Sequence, residues 1–263
     1  MAQTLAEIRE ALKVANRAEY EALARALAAD ERKGVKAALK SAARRLAAED
    51  AEAARLNGMY SFQAKLAGGG IAVGLDEVGR GPVAGPLAIG AVVLPDDPRV
   101  EGVNDSKQLS AERREEIAAV VREVAIAWDI EYIQPQEIDE HGMTWALRTA
   151  NLRAIAAIEE QLSAKGTSLD AVLLDGNAQH LDAREVNIVK GDGKCASIAA
   201  ASIIAKVDRD ALMCRYAERF PHYGFESNKG YASAEHIEAI KQYGLSPVHR
   251  ASFCRAWTQE TLF

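Results

Sequence analysis

The chain has 263 residues, 49% of them hydrophobic and 27% charged, with a formal net charge of −6. Such a length and composition suit one large globular domain, alone or with a smaller appendage, and exclude a fibrous repeat or a long disordered chain. The acidic balance counts against a nucleic-acid partner unless a local basic patch or bound metal ions neutralise phosphate.

In chain order, residues 4–66 are rich in Ala, Glu, Arg and Leu, and Leu5, Ile8 and Leu12 recur at helical spacing. Thr4 and Glu7 have the spacing of a capping box, so two or three helices are expected in an N-terminal extension over residues 1–67. Glu7 and Glu10 stand where a secretory signal would carry a basic start and an unbroken apolar stretch. No apolar run approaches the about 20 residues of a membrane span, so a cytoplasmic protein that does not enter the membrane is expected. Gly68, Gly69 and Gly70 follow, and three consecutive glycines are costly to order; they predict a hinge before a second domain over residues 71–263.

Beyond the glycines, residues 71–75 and 87–94 are apolar runs of strand length, joined by a Gly- and Pro-rich turn over 79–86. Ser110 caps an amphipathic stretch to about residue 123, 125–132 reads as a strand, and 144–164 has helical periodicity. Two further strands are expected at 171–174 and 185–189, and a helix at 197–220. The tail from Ser233 holds short helices interrupted by Gly244 and Pro247. Strands mixed with helices predict an α/β fold. The three cysteines, Cys195, Cys214 and Cys254, are odd in number and lack a close pair, so buried free thiols are expected rather than disulfides or a thiolate zinc site.

The acids carry the chemical signal. Asp76 and Glu77 end the first apolar run and are followed at once by Gly79-Arg80-Gly81-Pro82. Alone, such a pair reads equally well as a polar exit from the core. Asp175 follows the run 171–174 and precedes Gly176-Asn177, and Asp192 lies in Lys190-Gly191-Asp192-Gly193-Lys194 after the run ending at Val189. Three strand ends thus carry acids. Magnesium-like cations take oxygen ligands from few carboxylates together with water and substrate phosphate. Two ions about 3.5–4 Å apart serve in-line phosphodiester displacement, which needs no cysteine or histidine nucleophile.

The segment Gly74-Leu75-Asp76-Glu77-Val78-Gly79-Arg80-Gly81-Pro82 resembles the opening signature of the ribonuclease HII family. Asn104-Asp105-Ser106-Lys107-Gln108-Leu109-Ser110, Leu174-Asp175-Gly176-Asn177, Lys190-Gly191-Asp192, Ser197-Ile198-Ala199-Ala200-Ala201-Ser202, Ala205-Lys206-Val207 and Asn228-Lys229-Gly230-Tyr231 resemble its later motifs in the same order. The ordered series spans residues 71 to about 253 and is far more specific than any one motif.

The resemblance implies a ribonuclease H-like mixed β-sheet flanked by helices, with a helical C-terminal region behind it and the helical appendage before it. It implies that Asp76, Glu77, Asp175 and Asp192 are catalytic acids holding two Mg2+ or Mn2+ ions, with Asp76 bridging them. It further implies that Gly79, Arg80 and Gly81 read the ribose 2′-hydroxyl through backbone, and that Tyr231 packs beside the sugar after the ribonucleotide. The implied partners are RNA/DNA hybrids and duplex DNA containing ribonucleotides, cut on the 5′ side of a ribonucleotide by a protein expected to act as a monomer. Lys107, Lys190, Lys194 and Lys229 lie in or beside these motifs as candidates for phosphate contact, although solvated surface lysines explain them equally well.

Gly193 and Cys195 depart from the family pattern, standing where small polar residues or serines are expected; Cys195 reads as a serine replacement rather than a nucleophile. His249-Arg250-Ala251-Ser252-Phe253 resembles a tail motif that a structural cap explains equally well. The extension carries Asp30-Glu31-Arg32-Lys33-Gly34-Val35, similar to a step in the extensions of some bacterial members, and its role stays open between packing, substrate contact and partner binding.

Rival readings fit less well. Gly79-x-Gly81-x-x-Ala84 satisfies a dinucleotide fingerprint, but a strand rather than a helix follows. Gly193-Lys194 lacks the first glycine of a phosphate-binding loop, since Ile188 stands there, and no Gly-x-Ser-x-Gly elbow or paired helical histidines occur. Other metal-dependent exonucleases or phosphatases lack the glycine-arginine-glycine loop, and a binding module that does not cut would be expected to have lost an acid.

Overall fold

The computed structural model describes residues 3–258; the first two residues of the expected extension and the last five of the expected second domain lie outside the described residues. The chain divides into two compact units, Met1–Asn57 and Gly58–Phe263.

The first unit holds α1 (Leu5–Val14), α2 (Arg17–Ala26) and most of α3 (Lys33–Leu66). Two capping boxes start the first two helices. The Thr4 hydroxyl accepts the Glu7 N–H at 3.3 Å while Glu7 accepts the Thr4 N–H at 2.7 Å, and Asn16 with Glu19 repeats the exchange. Ile8, Leu12, Val35 and Ala42 form its core. The Asp30 to Val35 step has a structural explanation: the Arg32 guanidinium forks Asp30 at 2.6 and 3.0 Å and also donates to the Gln3 carbonyl at 3.2 Å.

The division falls inside α3, ahead of the three glycines. The last turns of that helix belong to the second unit, where the Tyr60 hydroxyl accepts the Val100 N–H at 3.0 Å and Gln63 is buried.

The second unit is built on β1 (Ala72–Val78), β2 (Leu87–Val93), β3 (Ala127–Ile133), β4 (Ala171–Asp175) and β5 (Glu185–Ile188), in the spatial order β3-β2-β1-β4-β5. β1 pairs antiparallel with β2 and parallel with β4; β2 with β3 is antiparallel and β4 with β5 parallel. The helices are α4 (Ala111–Val124), α5 (Pro135–His141), α6 (Met143–Ser163), α7 (Ala196–Arg219), α8 (Phe225–Asn228), α9 (Ala234–Tyr243) and α10 (Arg255–Thr258). α5 is absent from the sequence expectation. Its signal is a capping box between Gln134 and Glu137 around Pro135 at the first turn.

Strand side chains alternate between faces, so Val73 and Leu75 join the core beneath α6, while Gly74 and Asp76 look toward α7. Gly74 and Gly90 seat α7 on that face. A Cβ at Gly74 would lie 2.3 Å from Ile198 N, and one at Gly90 would lie 2.2 Å from the Ala201 carbonyl oxygen. The run of Ala199, Ala200 and Ala201 is the complementary small surface. α8 to α10 gather Met213, Tyr223, Phe225, Ile240 and Cys254 around Val83 and Ala84. No described helix is long and apolar enough to cross a membrane.

Candidate active site

β1 extends further than the apolar pattern suggests. Asp76 and Glu77 lie within it, paired opposite Gly90 and Ile89, because the ladder to β2 continues as far as Val78. Parallel pairing of Leu75 with Leu174 brings the strand ends bearing Asp76 and Asp175 side by side. Asp192 sits in a single tight turn, Gly191–Gly193, beyond β5. The Asp175 carboxylate accepts the Gly191 N–H at 2.6 Å and so ties that turn to β4.

These acids share an electrostatic environment. Asp76 is 7% exposed, and its carboxyl is pushed up to about 7, chiefly by burial, with the charges of Glu77, Asp175 and Asp192 adding; a hydrogen bond from Ser202 opposes the shift. Burial also raises Glu77, with Asp175 adding and Arg80 opposing at 3.5 Å. Asp192 is raised by burial and by Asp105 and Asp175, while the Lys107 ammonium, 3.8 Å away, opposes. Against its own burial, Lys107 is raised by Asp105, Asp192, Asp76 and Asp175.

A cleft of about 270 Å³ opens beside Asp76 and Glu77, while Asp175 and Asp192 are not among its lining residues. Asp76, Glu77, Gly79, Arg80 and Gly81 form one wall, and Lys107 and Tyr231 line it with Ser106, Ser202 and Lys206. The exposed Tyr231 ring comes near the loop, 3.7 Å from where a Cβ on Gly81 would stand. Gly79 has φ +89°, and a Cβ there would lie 2.2 Å from Arg209 Nε, so the loop tolerates only glycine at this point.

Some expected residues stand apart from the cleft. Lys194 donates to the Val189 carbonyl at 2.7 Å and Lys229 to Cys214 Sγ at 3.1 Å; neither lines the cleft. Cys195 and Cys254 are buried free thiols as expected, but Cys214 is exposed, because it lies on the outer face of α7. Cys195 donates to Gln63 at 3.4 Å and burial raises its thiol, which suits packing and not attack. The same Gln63 oxygen accepts the Ser197 N–H at 2.9 Å, capping α7 where Cys195 makes no side-chain cap.

Sequence reasoning did not single out Ser106, Ser202, Lys206, Arg209 or Arg250 as site residues. Ser202 carried a usable signal, one of two hydroxyls, with Ser197, in an otherwise apolar stretch of helix facing the sheet. Arg209 carried none, since a charged side chain reads as surface until its partners are seen, and Arg250 stood in the 249–253 tail motif, to which no chemistry was assigned.

Clustered carboxylates in partial burial, opposed by few cations, form a donor set of hard oxygen atoms suited to divalent ions. Among the described residues no group of three or more His, Cys, Asp or Glu is arranged to hold an ion by itself. Magnesium-type sites complete their shells with water and substrate phosphate, so the donor set fits such an ion.

An RNase H-like mixed sheet with acids at adjoining strand ends beside a glycine-walled cleft defines a metal-dependent nucleic-acid hydrolase. The family model of ribonuclease HII matches residues 73–256, and that of the ribonuclease HII N-terminal domain matches residues 4–67. The chain belongs to the ribonuclease HII family and is an RNase H-type endonuclease. It is similar to ribonuclease HII of Ruminiclostridium cellulolyticum, 43% identical over 212 residues that cover 80% of this chain and 81% of the relative. Ribonuclease HII of Clostridium acetobutylicum is 41% identical over 232 residues, covering 86% and 88%. The crystal structure of ribonuclease H2 from Pyrococcus horikoshii OT3 superposes with a TM-score of 0.59 at 28% identity, covering 71% of this chain and 96% of that one.

Proposed function

We propose that this endonuclease hydrolyses the phosphodiester on the 5′ side of ribonucleotides, in RNA/DNA hybrids and at single ribonucleotides embedded in duplex DNA. The products are 3′-hydroxyl and 5′-phosphate ends, and the role is removal of ribonucleotides from DNA. The observation that carries this reading is the shared cleft: the Gly79 to Gly81 backbone, the Tyr231 ring and the acids Asp76 and Glu77 line one cavity.

In this reading Asp76, Glu77, Asp175 and Asp192 hold two divalent ions, Mg2+ or Mn2+. Bound there, such ions supply Lewis-acid chemistry, activating water and neutralising charge that develops at the phosphodiester. The protein does the positioning. Ser202 orients Asp76, and the Gly191 N–H orients Asp175. The 79–81 backbone reads the 2′-hydroxyl, the group that separates RNA from DNA. Tyr231 packs against the following sugar, and Lys107 neutralises phosphate; we do not extend that role to Lys194, whose amine is turned to Val189.

The test is cleavage of an end-labelled duplex carrying one ribonucleotide, and of a long hybrid, with magnesium, with manganese and with chelator. Metal-dependent cutting on the 5′ side of the ribonucleotide is expected. Binding without cutting in either metal would refute the reading.

A further inference from the structure

Two of the largest fully buried side chains in the second unit are arginines, Arg209 and Arg250. Neither forms an ion pair with a carboxylate among the described residues. Both are spent on backbone carbonyls. Arg250 donates to Gly79 at 2.6 Å, to Arg80 at 3.0 Å and to Gly85 at 2.9 and 3.1 Å. Arg209 donates to Pro86 at 2.9 Å, Lys229 at 3.0 Å and Ala84 at 3.1 Å.

The consequence for the loop follows from peptide geometry. A peptide unit is planar and trans, so holding the Gly79 carbonyl fixes the Arg80 N–H on the opposite edge, and holding the Arg80 carbonyl fixes the Gly81 N–H. Among the described residues, neither of those N–H groups has a protein acceptor. Arg250 thus holds the rear of the loop while its donors are left for a ligand.

The same tail segment reaches Tyr231. The Tyr231 carbonyl can only accept, so His236 Nδ1–H donates to it, at 2.7 Å. The Ser246 N–H can only donate, so His249 Nδ1 accepts from it at 2.9 Å and from the Ser246 hydroxyl at 2.7 Å. His249 Nε2–H is then left to donate to His236 Nε2 at 3.0 Å, which satisfies both rings in their neutral forms. Backbone contacts complete the link: Val83 N–H to Gly230 at 2.9 Å, Gly85 N–H to Val248 at 2.8 Å, and Arg250 N–H to Val83 at 2.8 Å.

We propose that Arg250 is a positioning residue for ribose recognition: it aims the Arg80 and Gly81 N–H groups into the cleft and, through the segment 246–250, keeps them in register with Tyr231. The inference rests on the proposed substrate and deepens it. Lysine cannot replace the planar fork, which meets three carbonyls at once, although it keeps the charge.

The test is binding of the full-length protein to two labelled duplexes of one sequence, all-deoxy or with a single ribonucleotide, with calcium in place of magnesium. The wild type is expected to prefer the ribonucleotide duplex. Arg250→Lys should lose on the order of 10- to 100-fold of that preference, as misplaced recognition groups do, with all-deoxy affinity unchanged. A folded Arg250→Lys that keeps the full ratio, or that weakens both duplexes equally, overturns the inference while leaving the substrate reading in place. A wild type that binds the two duplexes equally overturns the substrate reading, and this inference with it. Should Arg250→Lys fail to fold, Asp139→Ala gives a second reading. Asp139 accepts the Ala251 and Ser252 N–H groups at 2.7 and 2.9 Å and so anchors the residues that follow Arg250. Its loss should lower the ratio in the same direction, and an unchanged ratio in that variant also overturns the inference.

Discussion

The hydroxyls of Ser106 and Ser202 meet at 2.9 Å in the interior, joining the turn that carries Lys107 to the helix α7 that lies over the sheet. The Ser202 hydroxyl also lines the cleft beside Asp76 and opposes the rise in its proton affinity, so one side chain links the basic and acidic sides of the cleft. Ser202→Ala should leave the Ser106 hydroxyl buried without this partner and Asp76 without the hydroxyl beside it. Activity should fall by about 10- to 100-fold, mostly in kcat, as for other residues that orient metal ligands. Steady-state kinetics at saturating magnesium check this, and a change confined to KM would contradict it.

Asp76 is held near the cost limit for a buried carboxylate, with its proton affinity raised to about 7 by burial first and by three neighbouring acids after it. Asp76→Asn removes that charge and should stabilise the metal-free protein at pH 8 by roughly 4 kcal/mol, while abolishing cleavage. Thermal melts in chelator and in magnesium are the measurement. The wild type should gain more from magnesium than the variant does.

The His236 and His249 pair sets a pH dependence of stability. Burial first, and then His236, push His249 down to about 4 from its ordinary 6.5. The folded state therefore resists protonation while the unfolded chain takes up a proton. Stability is present above pH 6.5 and is lost as pH falls toward 4, by about 2 kcal/mol. In His249→Gln the slope of melting temperature against pH across this window should flatten; an unchanged slope would count against the neutral relay.

Tyr231 is 53% exposed, so its removal should cost the fold less than about 0.5 kcal/mol. Tyr231→Ala should instead lower kcat/KM for a single embedded ribonucleotide relative to a long hybrid, by about tenfold, equivalent to about 1.4 kcal/mol. Equal losses on both substrates would remove the junction role from Tyr231.

Much of this arrangement was legible in the sequence because acids interrupt apolar strands only at a cost. Asp76, Glu77 and Asp175 each break an apolar run beside glycine, and the order of the runs sets out the sheet. The pairing of β1 with β4 was not legible, since the sequence does not state which strands lie side by side; the proximity of Asp76 to Asp175 was expected only through the family resemblance. Three glycines mark the end of α3 in the sequence, whereas the division into compact units falls earlier, between Asn57 and Gly58, with Tyr60 and Gln63 buried on the far side of it. The contacts of Arg209 and Arg250 were hidden most completely, although Arg250 stood in the tail motif, because their partners are backbone carbonyls of the loop 79–86 and of Lys229, remote in sequence, which no side-chain pattern reveals.

The most direct measurement compares the wild type with Asp76→Asn on two end-labelled duplexes, one with a single ribonucleotide and one all-deoxy, under matched magnesium. The wild type should give one new 3′-hydroxyl end immediately 5′ of the ribonucleotide and leave the all-deoxy duplex whole, with no product from the variant. Cleavage of the all-deoxy duplex at a comparable rate, or undiminished turnover by Asp76→Asn, would contradict the account.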